Sequence, residues 1–205
     1  MSIQNIDKAR LLAILKKKSV FHGDFVLSSG ARSSYYFDCK LTTLDPEAAW
    51  LVGAVLLKMI QAEAVTRGIK LDTIGGLTMG ADSIALAVGM VSFKETPDHP
   101  LKVIIVRKSP KAHGQSKLVE GNLAKGDRVV VIDDVVTRGD STLRAIEVIE
   151  AEGGIVEFAA VLVDREEGGR QKIEARGIPV LSVFRKGDIL EVNEADPSER
   201  VSATG

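Results

Sequence analysis

An alternation of continuously apolar segments with helical segments, from residue 72 to residue 184, constrains the fold more than any other feature of the sequence. Strands that are apolar on both faces and separated by helices belong to parallel sheets that helices cover on both sides. The predicted strands are 72–76, 103–106, 129–132, 155–163 and 179–184, and the predicted helices are 82–91, 141–152 and 166–176. The sequence therefore predicts an α/β fold whose ligands bind beyond the carboxyl ends of the strands.

The first 70 residues follow a different pattern. Asp45, Pro46 and Glu47 supply a capping carboxylate, a proline and an acid, which together are typical of a helix start. The predicted elements are a helix that ends in three lysines at 16–18, strands at 25–27 and 35–37 around a turn at 28–30, and a helix from 46 to 67 that stops at Gly68. We expect one domain over residues 1–205, with an N-terminal hood over about 1–45, a core over about 46–185 and a polar tail over 193–205.

The composition excludes several classes of protein. Apolar residues make up 45% and charged residues 27% of the 205, which suits a globular chain with a buried core. The net charge of −1 gives no general attraction to nucleic acid, so an anion site would need a local group of basic residues. The single cysteine, Cys39, cannot form an internal disulfide and favours a reducing, cytoplasmic location. No signal peptide is readable, and the apolar stretch 48–57 is too short to cross a bilayer.

Two adjacent acids and a hydroxyl-rich loop follow the predicted strand at 129–132. Free N–H groups at the start of the next helix, together with the hydroxyls of Thr137 and Ser141, favour a phosphate site. Asp133 and Asp134 would repel a phosphate, but they can accept hydrogen bonds from neutral hydroxyls or hold a hydrated Mg²⁺. A ribose 5-phosphate has hydroxyls at one end and a phosphate at the other, and therefore fits this segment. The alternative is that Ser141 only caps a helix and that the acids are solvated.

A group of basic side chains follows the predicted strand at 103–106. Arg107, Lys108, Lys111 and His113 fall within seven residues of a chain that has no net positive charge. Their mutual repulsion favours the binding of an anion, and the long polar loop suits a mobile lid. Because this loop and the acidic segment end strands of one sheet, we interpret the loop as a polyphosphate clamp. The alternative is an ordinary solvated loop.

A glycine-rich segment follows the predicted strand at 72–76. Gly75, Gly76 and Gly80 allow a close approach of the backbone to a ligand. Asp82 or Ser83 is expected to cap the next helix.

An arginine follows the predicted strand at 155–163. Arg165 can pair with a substrate carboxylate through two parallel hydrogen bonds, or it can pair with Asp164 or Glu166 beside it. The isolated His22 and His99 have no metal-ligand partners at a useful spacing and receive no role.

Together these segments resemble the type I phosphoribosyltransferases, and within that group the orotate phosphoribosyltransferase family. The fingerprint of the group is an apolar strand, two acids and a phosphate loop of the form T-x-G-x-[ST]. The matching segments are 25–30, 35–38, 75–82, 107–114, 133–141 and 164–165. The resemblance implies a type I phosphoribosyltransferase fold, with a mostly parallel central sheet, helices on both faces and a small N-terminal hood. It also implies a homodimer with shared active sites.

The resemblance further implies a reaction in pyrimidine biosynthesis. A 5-phosphoribosyl group passes from phosphoribosyl pyrophosphate (PRPP) to orotate, which gives orotidine 5′-monophosphate and pyrophosphate. The implied cofactor is Mg²⁺, held mainly by PRPP without a direct protein ligand, and in contact through water with Asp133 or Asp134.

The site residues implied by the resemblance fall into three sets. The catalytic residues are Lys111, Asp133 and Asp134. The PRPP-binding residues are Arg107, Lys108, Lys111, His113, Asp133, Asp134, Val135, Val136, Thr137, Arg138, Gly139, Asp140 and Ser141. The orotate-binding residues are Tyr36, Phe37, Thr137 and Arg165. The two acids are implied to hold the ribose 2- and 3-hydroxyls.

The chain departs from the family pattern within the site. Some relatives have lysine where this chain has Ser28 and Gly80, and small neutral residues are usual where Asp140 stands. A carboxylate that pointed into the phosphate loop would repel the ligand at close range. We therefore expect Asp140 to face solvent, where it can pair with Arg138 or cap the helix.

Two alternative functions stand beside the implied one. The first is a phosphoribosyltransferase for another base, such as uracil or a purine. Arg165 favours orotate, because uracil and purines have no carboxylate to pair with it. The second is a non-catalytic regulator that senses PRPP or a nucleotide. The basic loop favours an enzyme, because a sensor needs no clamp for a leaving group.

Overall fold

A computed structural model describes residues 3–26, 32–109 and 117–190 of the chain. The elements are α1 (Ile3–Ser19), β1 (Val20–Val26), β2 (Arg32–Phe37), α2 (Lys40–Thr43), α3 (Pro46–Arg67), β3 (Thr73–Leu77), α4 (Ala81–Glu95), β4 (Lys102–Val106), β5 (Val119–Gly121), β6 (Arg128–Val136), α5 (Asp140–Ala151), β7 (Ile155–Asp164), α6 (Gly169–Glu174), β8 (Val180–Arg185) and α7 (Lys186–Leu190). The strands β1 and β2 form an antiparallel hairpin. The turn predicted at 28–30, with Ser28, and the predicted polar tail lie outside the described residues.

The six remaining strands form one sheet in the order β5-β4-β3-β6-β7-β8. Neighbouring strands are parallel, except that β4 and β5 are antiparallel. Because β4 lies on one side of β3 and β6 on the other, the strand order switches direction between β3 and β6. Ligands of open α/β sheets bind at the carboxyl ends of the strands beside such a switch. The α/β fold with a mostly parallel sheet is thus confirmed.

Helices cover both faces of this sheet. Val130 and Ile132 on β6 pack in a core that they share with α1, α3 and α4. Their neighbours Val129 and Val131 pack in a second core, shared with α5 and α6. Adjacent residues of a strand point to opposite faces, so a strand buried on both sides is apolar without interruption. This double burial fixes the position of the carboxyl end of β6, where the two acids lie.

Strand β3 approaches its two neighbours closely. A Cβ atom on Gly76 would lie 2.0 Å from the Ile132 carbonyl oxygen, and one on Gly75 would lie 2.2 Å from that of Ile104. A side chain at either position would therefore push the strands apart. The glycines serve strand packing at the switch point, and this use differs from the ligand approach predicted for them.

Helix α3 begins and ends as predicted. Asp45 caps it, since its Oδ1 atom accepts a hydrogen bond from the Ala48 N–H at 3.1 Å, and Gly68 ends it with a φ of 65°. By length and composition alone α3 could span a membrane, although the uninterrupted apolar stretch 48–57 within it is short. However, α3 packs against α1, α4 and β7 and buries seven of its residues. It is therefore a core helix of this fold.

Two predicted helix starts are wrong. The helix expected from Glu166 begins only at α6, because Glu166 has a φ of 58° and Gly168 a φ of 89°, and neither value is helical. The cap of α4 is Gly80 instead of Asp82 or Ser83. The Asp82 Oδ2 atom accepts a hydrogen bond from the Gly80 N–H at 3.2 Å, so this acid reaches back to the loop. The short elements α2, β5 and α7 are missing from the prediction, because three to five residues carry little periodicity.

Candidate active site

The two adjacent acids at the end of β6 have different surroundings. Asp133 is 5% exposed, and its Oδ2 atom accepts hydrogen bonds from Ser141 Oγ and Thr142 Oγ1, each at 2.8 Å. Its Oδ1 atom accepts a third hydrogen bond, from the Asp134 N–H at 3.1 Å. Burial raises the pKa of Asp133, and the two hydroxyl donors oppose that shift. Asp133 thus ties the end of β6 to the first turn of α5.

Asp134 is more exposed and lies next to the loop that follows β3. Its Oδ1 atom accepts a hydrogen bond from the Val135 N–H at 2.9 Å, and a Cβ atom on Gly80 would lie 2.9 Å from the same oxygen. Burial, and then the charge of Asp133, raise the pKa of Asp134 to about 7, while the charge of Lys40 lowers it. Near neutral pH this group therefore exchanges between a carboxylate and a neutral carboxyl.

The short helix α2 carries the lysine whose charge acts on Asp134. Lys40 Nζ lies 2.7 Å from Asp38 Oδ1, and this hydrogen bond raises the pKa of Lys40. Cys39, between them in the sequence, is buried, and burial raises the pKa of its thiol. A buried neutral thiol is a poor nucleophile, so Cys39 contributes to packing.

The loop between β6 and α5 leads into a helix start that no side-chain cap closes among the described residues. Gly139 is the N-cap of α5, with a φ of 77°. The N–H groups of the first turn are therefore free to bind an anion. Gly169 braces the loop, since its N–H donates to the Thr137 carbonyl oxygen at 2.9 Å. The alternative that Ser141 only caps the helix is wrong, because its hydroxyl donates a hydrogen bond to Asp133.

Asp140 faces solvent, as the sequence predicts. Its carboxylate pairs with Lys172 Nζ at 2.5 Å and with Arg138 Nε at 3.4 Å. The hydrogen bond from Lys172, followed by that from Arg138, lowers the pKa of Asp140. The predicted pair with Arg138 is confirmed, and the pair with Lys172 joins the phosphate loop to α6.

Arg165, which follows β7, lies buried against two aromatic rings of β2. Its guanidinium carbon is 5.6 Å from the ring centroid of Tyr35 and 5.6 Å from that of Phe37. Its Nη2 atom forms an ion pair with Glu167 Oε1 at 2.8 Å. Within the described part of the chain, Nε and Nη2 have no hydrogen-bond partner. A buried guanidinium with unpaired donors is suited to bind a planar anion such as a carboxylate.

The neighbouring acids do not occupy Arg165. Asp164 Oδ2 accepts a hydrogen bond from Arg170 Nε at 2.7 Å, and its Oδ1 accepts one from the Glu166 N–H at 2.8 Å. The alternative pairing of Arg165 with Asp164 or Glu166 is therefore wrong, and the ion-pair partner present is Glu167.

A cavity of about 990 Å³ joins the phosphate loop to Arg165. Its lining residues come from the hairpin, the end of β4, the loop after β6 and the segment after β7. They are Val26, Tyr36, Lys108, Val135, Thr137, Arg138, Gly139, Asp140, Ser141, Arg165 and Glu167. The structure thus unites most of the residues that the sequence places at the phosphate and at the base.

Other predicted site residues lie outside this lining. Phe37 is buried and packs against Arg165, while Val136, Asp133 and Asp134 are not among the residues that line the cavity. Arg107 Nη1 points to Glu120 Oε1, at 3.3 Å. Lys111 and His113 lie outside the described residues, so their predicted roles stay predictions.

Three contacts around the site, made by Glu167, Thr142 and Lys172, are not predicted from the sequence. Glu167 follows Arg165 by only two positions, so a charge pair could have been proposed there. Thr142 directly follows the phosphate loop, and its hydroxyl was the available signal. The contact of Lys172 with Asp140 spans 32 residues, and no local pattern indicates it.

A parallel sheet with paired acids and a backbone phosphate loop at its switch point defines a type I phosphoribosyltransferase, and comparison with known proteins agrees. The orotate phosphoribosyltransferase of Aquifex aeolicus is 40% identical over 188 residues, which cover 90% of this chain and 98% of that protein. The enzyme of the same name from Streptomyces coelicolor is 41% identical over 183 residues, with 89% and 96% covered. The chain belongs to the orotate phosphoribosyltransferase family.

Solved structures give the same result. The Mycobacterium tuberculosis orotate phosphoribosyltransferase in complex with Fe(III) dicitrate matches with a TM-score of 0.75 and 36% identity, covering 90% of this chain and 99% of that one. The same enzyme in complex with PRPP matches with a TM-score of 0.72 and 33% identity, covering 89% and 98%. A comparison with models of known protein families finds no match.

Proposed function

We propose that the chain transfers the 5-phosphoribosyl group of PRPP to orotate, which gives orotidine 5′-monophosphate and pyrophosphate in pyrimidine biosynthesis. The observation that carries this proposal is the buried guanidinium of Arg165, whose Nε and Nη2 atoms have no hydrogen-bond partner among the described residues, at one end of a cavity that has a backbone phosphate site at its other end. A ribose phosphate and a planar base with a carboxylate would together span these two ends. The names of the family's members support the same activity.

In the proposed reaction, positive charge develops on the ribose and negative charge develops on the leaving pyrophosphate. The bond between the anomeric carbon of ribose and pyrophosphate breaks, and its electron pair leaves with pyrophosphate. A ring nitrogen of orotate forms the new bond, and its proton passes to the departing pyrophosphate. Positive charge develops on the ribose, so a carboxylate near its hydroxyls would stabilise the transition state. We assign this role to Asp134, the more exposed of the two acids.

We assign the base end to the contacts around Arg165. Its unpaired guanidinium donors would bind the carboxylate of orotate. The half-exposed ring of Tyr36 lines the same cavity, Phe37 packs against Arg165 from behind, and Thr137 lies between this end and the phosphate loop. These contacts would set the angle at which the ring nitrogen meets the ribose.

Cations and Mg²⁺ would surround the leaving pyrophosphate. Lys108 lines the cavity, and Arg107, Lys111 and His113 complete the basic loop proposed to close over the site. No group of three or more His, Cys, Asp or Glu side chains within 3–26, 32–109 and 117–190 could hold a metal. We therefore propose that the oxygens of PRPP hold most of the Mg²⁺ shell and that Asp134 contacts it through water. When bound, Mg²⁺ would neutralise negative charge on the pyrophosphate.

A direct assay tests this function. Purified protein with Mg²⁺, PRPP and orotate should consume orotate, which is followed by its ultraviolet absorbance, and should release one pyrophosphate for each orotate consumed. Omission of PRPP or of Mg²⁺ should stop the reaction. Consumption of orotate without release of pyrophosphate, or no consumption at all, would contradict the proposal.

A panel of bases separates this function from a transferase for another base. Orotate should react far faster than uracil, hypoxanthine or adenine, because these bases lack the carboxylate that Arg165 would bind. Tight binding of PRPP without turnover of any base would instead favour a regulator.

We also propose a homodimer that forms through the exposed face of α4. Leu86, Met90 and Phe93 lie at helical spacing on that face, and each is more than half exposed. Trp50 of α3 extends the face, with Lys94 Nζ 4.8 Å from its ring centroid. An apolar face of this kind on a helix that starts at the switch point could bring the basic loop of one copy near the site of the other.

Sedimentation velocity tests the dimer. The wild-type chain should sediment as a dimer, and Met90→Glu should give a monomer. Val65→Glu, at another exposed apolar position of α3, should leave the dimer intact. A monomeric wild-type chain would contradict the proposal.

We further propose a cytoplasmic location. The buried, unpaired Cys39 is compatible with a reducing compartment. Fractionation of cells, with detection of the chain by a specific antibody, would test this.

A further inference from the structure

Thr142 is the least exposed polar residue near the phosphate loop. It is 1% exposed, so it does not line the cavity or contact a ligand there. Its hydroxyl donates to Asp133 Oδ2 at 2.8 Å, on the same oxygen that accepts the Ser141 hydroxyl. The first turn of α5 is therefore fastened to the end of β6 at two consecutive residues.

The Asp133 carboxylate is held mainly by hydrogen bonds from the chain itself. It accepts three hydrogen bonds from the chain, two on Oδ2 and one on Oδ1, and the residue is 5% exposed. A buried carboxylate needs such donors, because an unpaired buried charge is costly. The direction of these bonds fixes the start of α5, whose free N–H groups form the anion site.

We propose that Thr142 and Asp133 are positioning residues for the phosphate: they hold the first turn of α5 so that its N–H groups converge on one anion. Asp133 thus contributes to PRPP affinity through the phosphate loop, in addition to any contact that it makes with the ribose hydroxyls. This inference rests on the proposed function, since it assumes that the loop binds the 5-phosphate.

Inorganic phosphate is the probe that separates the two roles of Asp133, because it has no ribose hydroxyls. If Asp133 acts through the loop, its loss weakens the binding of inorganic phosphate itself. If it acts on ribose alone, phosphate affinity stays unchanged. A structure of the Mycobacterium tuberculosis relative is a complex with inorganic phosphate, which makes this probe a reasonable one.

The experiment measures phosphate affinity by calorimetry and the KM for PRPP by the orotate assay. The variants are Thr142→Val, Thr142→Ser, Asp133→Asn and the double variant Asp133→Asn/Thr142→Val. The matched control is Thr73→Val. Thr73 is another fully buried threonine that donates a hydrogen bond to an aspartate, Asp127 Oδ2, at 3.0 Å, but it lies at the amino end of β3, away from the phosphate loop. Thermal unfolding is followed for each variant.

We expect Thr142→Val to lower the affinity for phosphate and to raise the KM for PRPP, each roughly tenfold, with a smaller change in kcat. Thr142→Ser, which keeps the hydroxyl, should bind within about twofold of wild type. Asp133→Asn should also weaken phosphate binding. The fold-loss of phosphate affinity in the double variant should be smaller than the product of the two single fold-losses, because both residues act through the same hydrogen bond. Thr73→Val should lose stability and keep its phosphate affinity.

Three results would overturn the inference. They are wild-type phosphate affinity in Thr142→Val, wild-type phosphate affinity in Asp133→Asn, or an equal loss in Thr142→Val and Thr73→Val. If Thr142→Val does not fold, Asp133→Asn and Thr142→Ser decide by the same criteria. A wild-type chain that makes no orotidine 5′-monophosphate would instead remove the proposed function, so the two failures are distinguishable.

Discussion

The two ends of the cavity are built in different ways. The phosphate end comes from one continuous stretch, residues 133–142, in which backbone N–H groups and short hydroxyl–carboxylate bonds fix the loop. The base end is assembled from distant segments, since Arg165 follows β7 while Tyr35 and Phe37 belong to the N-terminal hairpin. Under the proposed function, phosphate recognition would therefore be spread over many small contacts, whereas base recognition would depend on one guanidinium.

This difference predicts how each end responds to change. Loss of one contact at the phosphate end leaves the others in place, so affinity should fall moderately. Loss of the guanidinium at the base end removes the charge that would select a carboxylate. We expect the largest effect of a single substitution at Arg165, and the predictions below follow in order of decreasing effect.

Arg165→Met should lower kcat/KM for orotate by roughly 100- to 1000-fold, because it removes a buried, charge-assisted contact with the carboxylate. The KM for PRPP should change little. The orotate assay at varied substrate concentration measures both. Arg128→Met is the control, since Arg128 pairs with Glu157 at the amino end of β6, far from the cavity. A loss below tenfold would show that the base end is as distributed as the phosphate end.

Asp134→Asn should lower turnover by roughly 100-fold and also stabilise the fold above neutral pH. The folded protein raises the pKa of Asp134 from 3.8 to about 7, so the native state holds this proton more tightly than the unfolded chain does. As pH rises through that interval, the acid ionises in the unfolded chain while the folded protein still holds its proton, so the free energy of unfolding falls by an amount on the order of a few kcal/mol. Asparagine removes this cost.

Thermal unfolding against pH measures that gain. The Tm of Asp134→Asn should exceed that of the wild type at pH 8, and the difference should disappear below about pH 3, where the acid is protonated in both states. An equal Tm at pH 8 would mean that Asp134 is not held in a costly ionised form. Together with lost turnover, the gain would mark Asp134 as a group kept for function at the expense of stability.

Gly80→Ala should raise the KM for PRPP roughly tenfold, because the new methyl group would lie 2.9 Å from Asp134 Oδ1 and displace that carboxylate. Gly80 also has a φ of 148°, which alanine rarely adopts. Gly68→Ala is the matched control, since Gly68 has a φ of 65° and open space where its Cβ would be. The control should lose stability without a change in KM. An unchanged KM in Gly80→Ala would show that Asp134 tolerates displacement.

The same contrast explains how much could be predicted from the sequence. The sheet, α3 and the segment 133–141 are encoded by local patterns, and the structure confirms the fold from them. The brace from Gly169 and the stacking of Tyr35 on Arg165 depend on contacts between distant residues, which no local pattern encodes. Even within the readable segment, the two acids looked alike, because the burial that separates them appears only when α5 packs on β6.

Asp140→Asn should give the smallest effect and the opposite sign. The carboxylate of Asp140 lies in the loop that would bind phosphate, and it pairs with Lys172 and Arg138. Its removal frees both cations and takes away a repulsive charge, so PRPP should bind roughly two- to threefold more tightly at low salt. The gain should shrink as salt is added, because the group is exposed and its field is screened. Glu147→Gln, on the outer face of α5 and paired with Arg176, controls for a general loss of negative charge and should leave KM unchanged. Weaker binding in Asp140→Asn would mean that the ion pair with Lys172 is needed to hold the loop, and the phosphate end would then depend on one side chain, as the base end does.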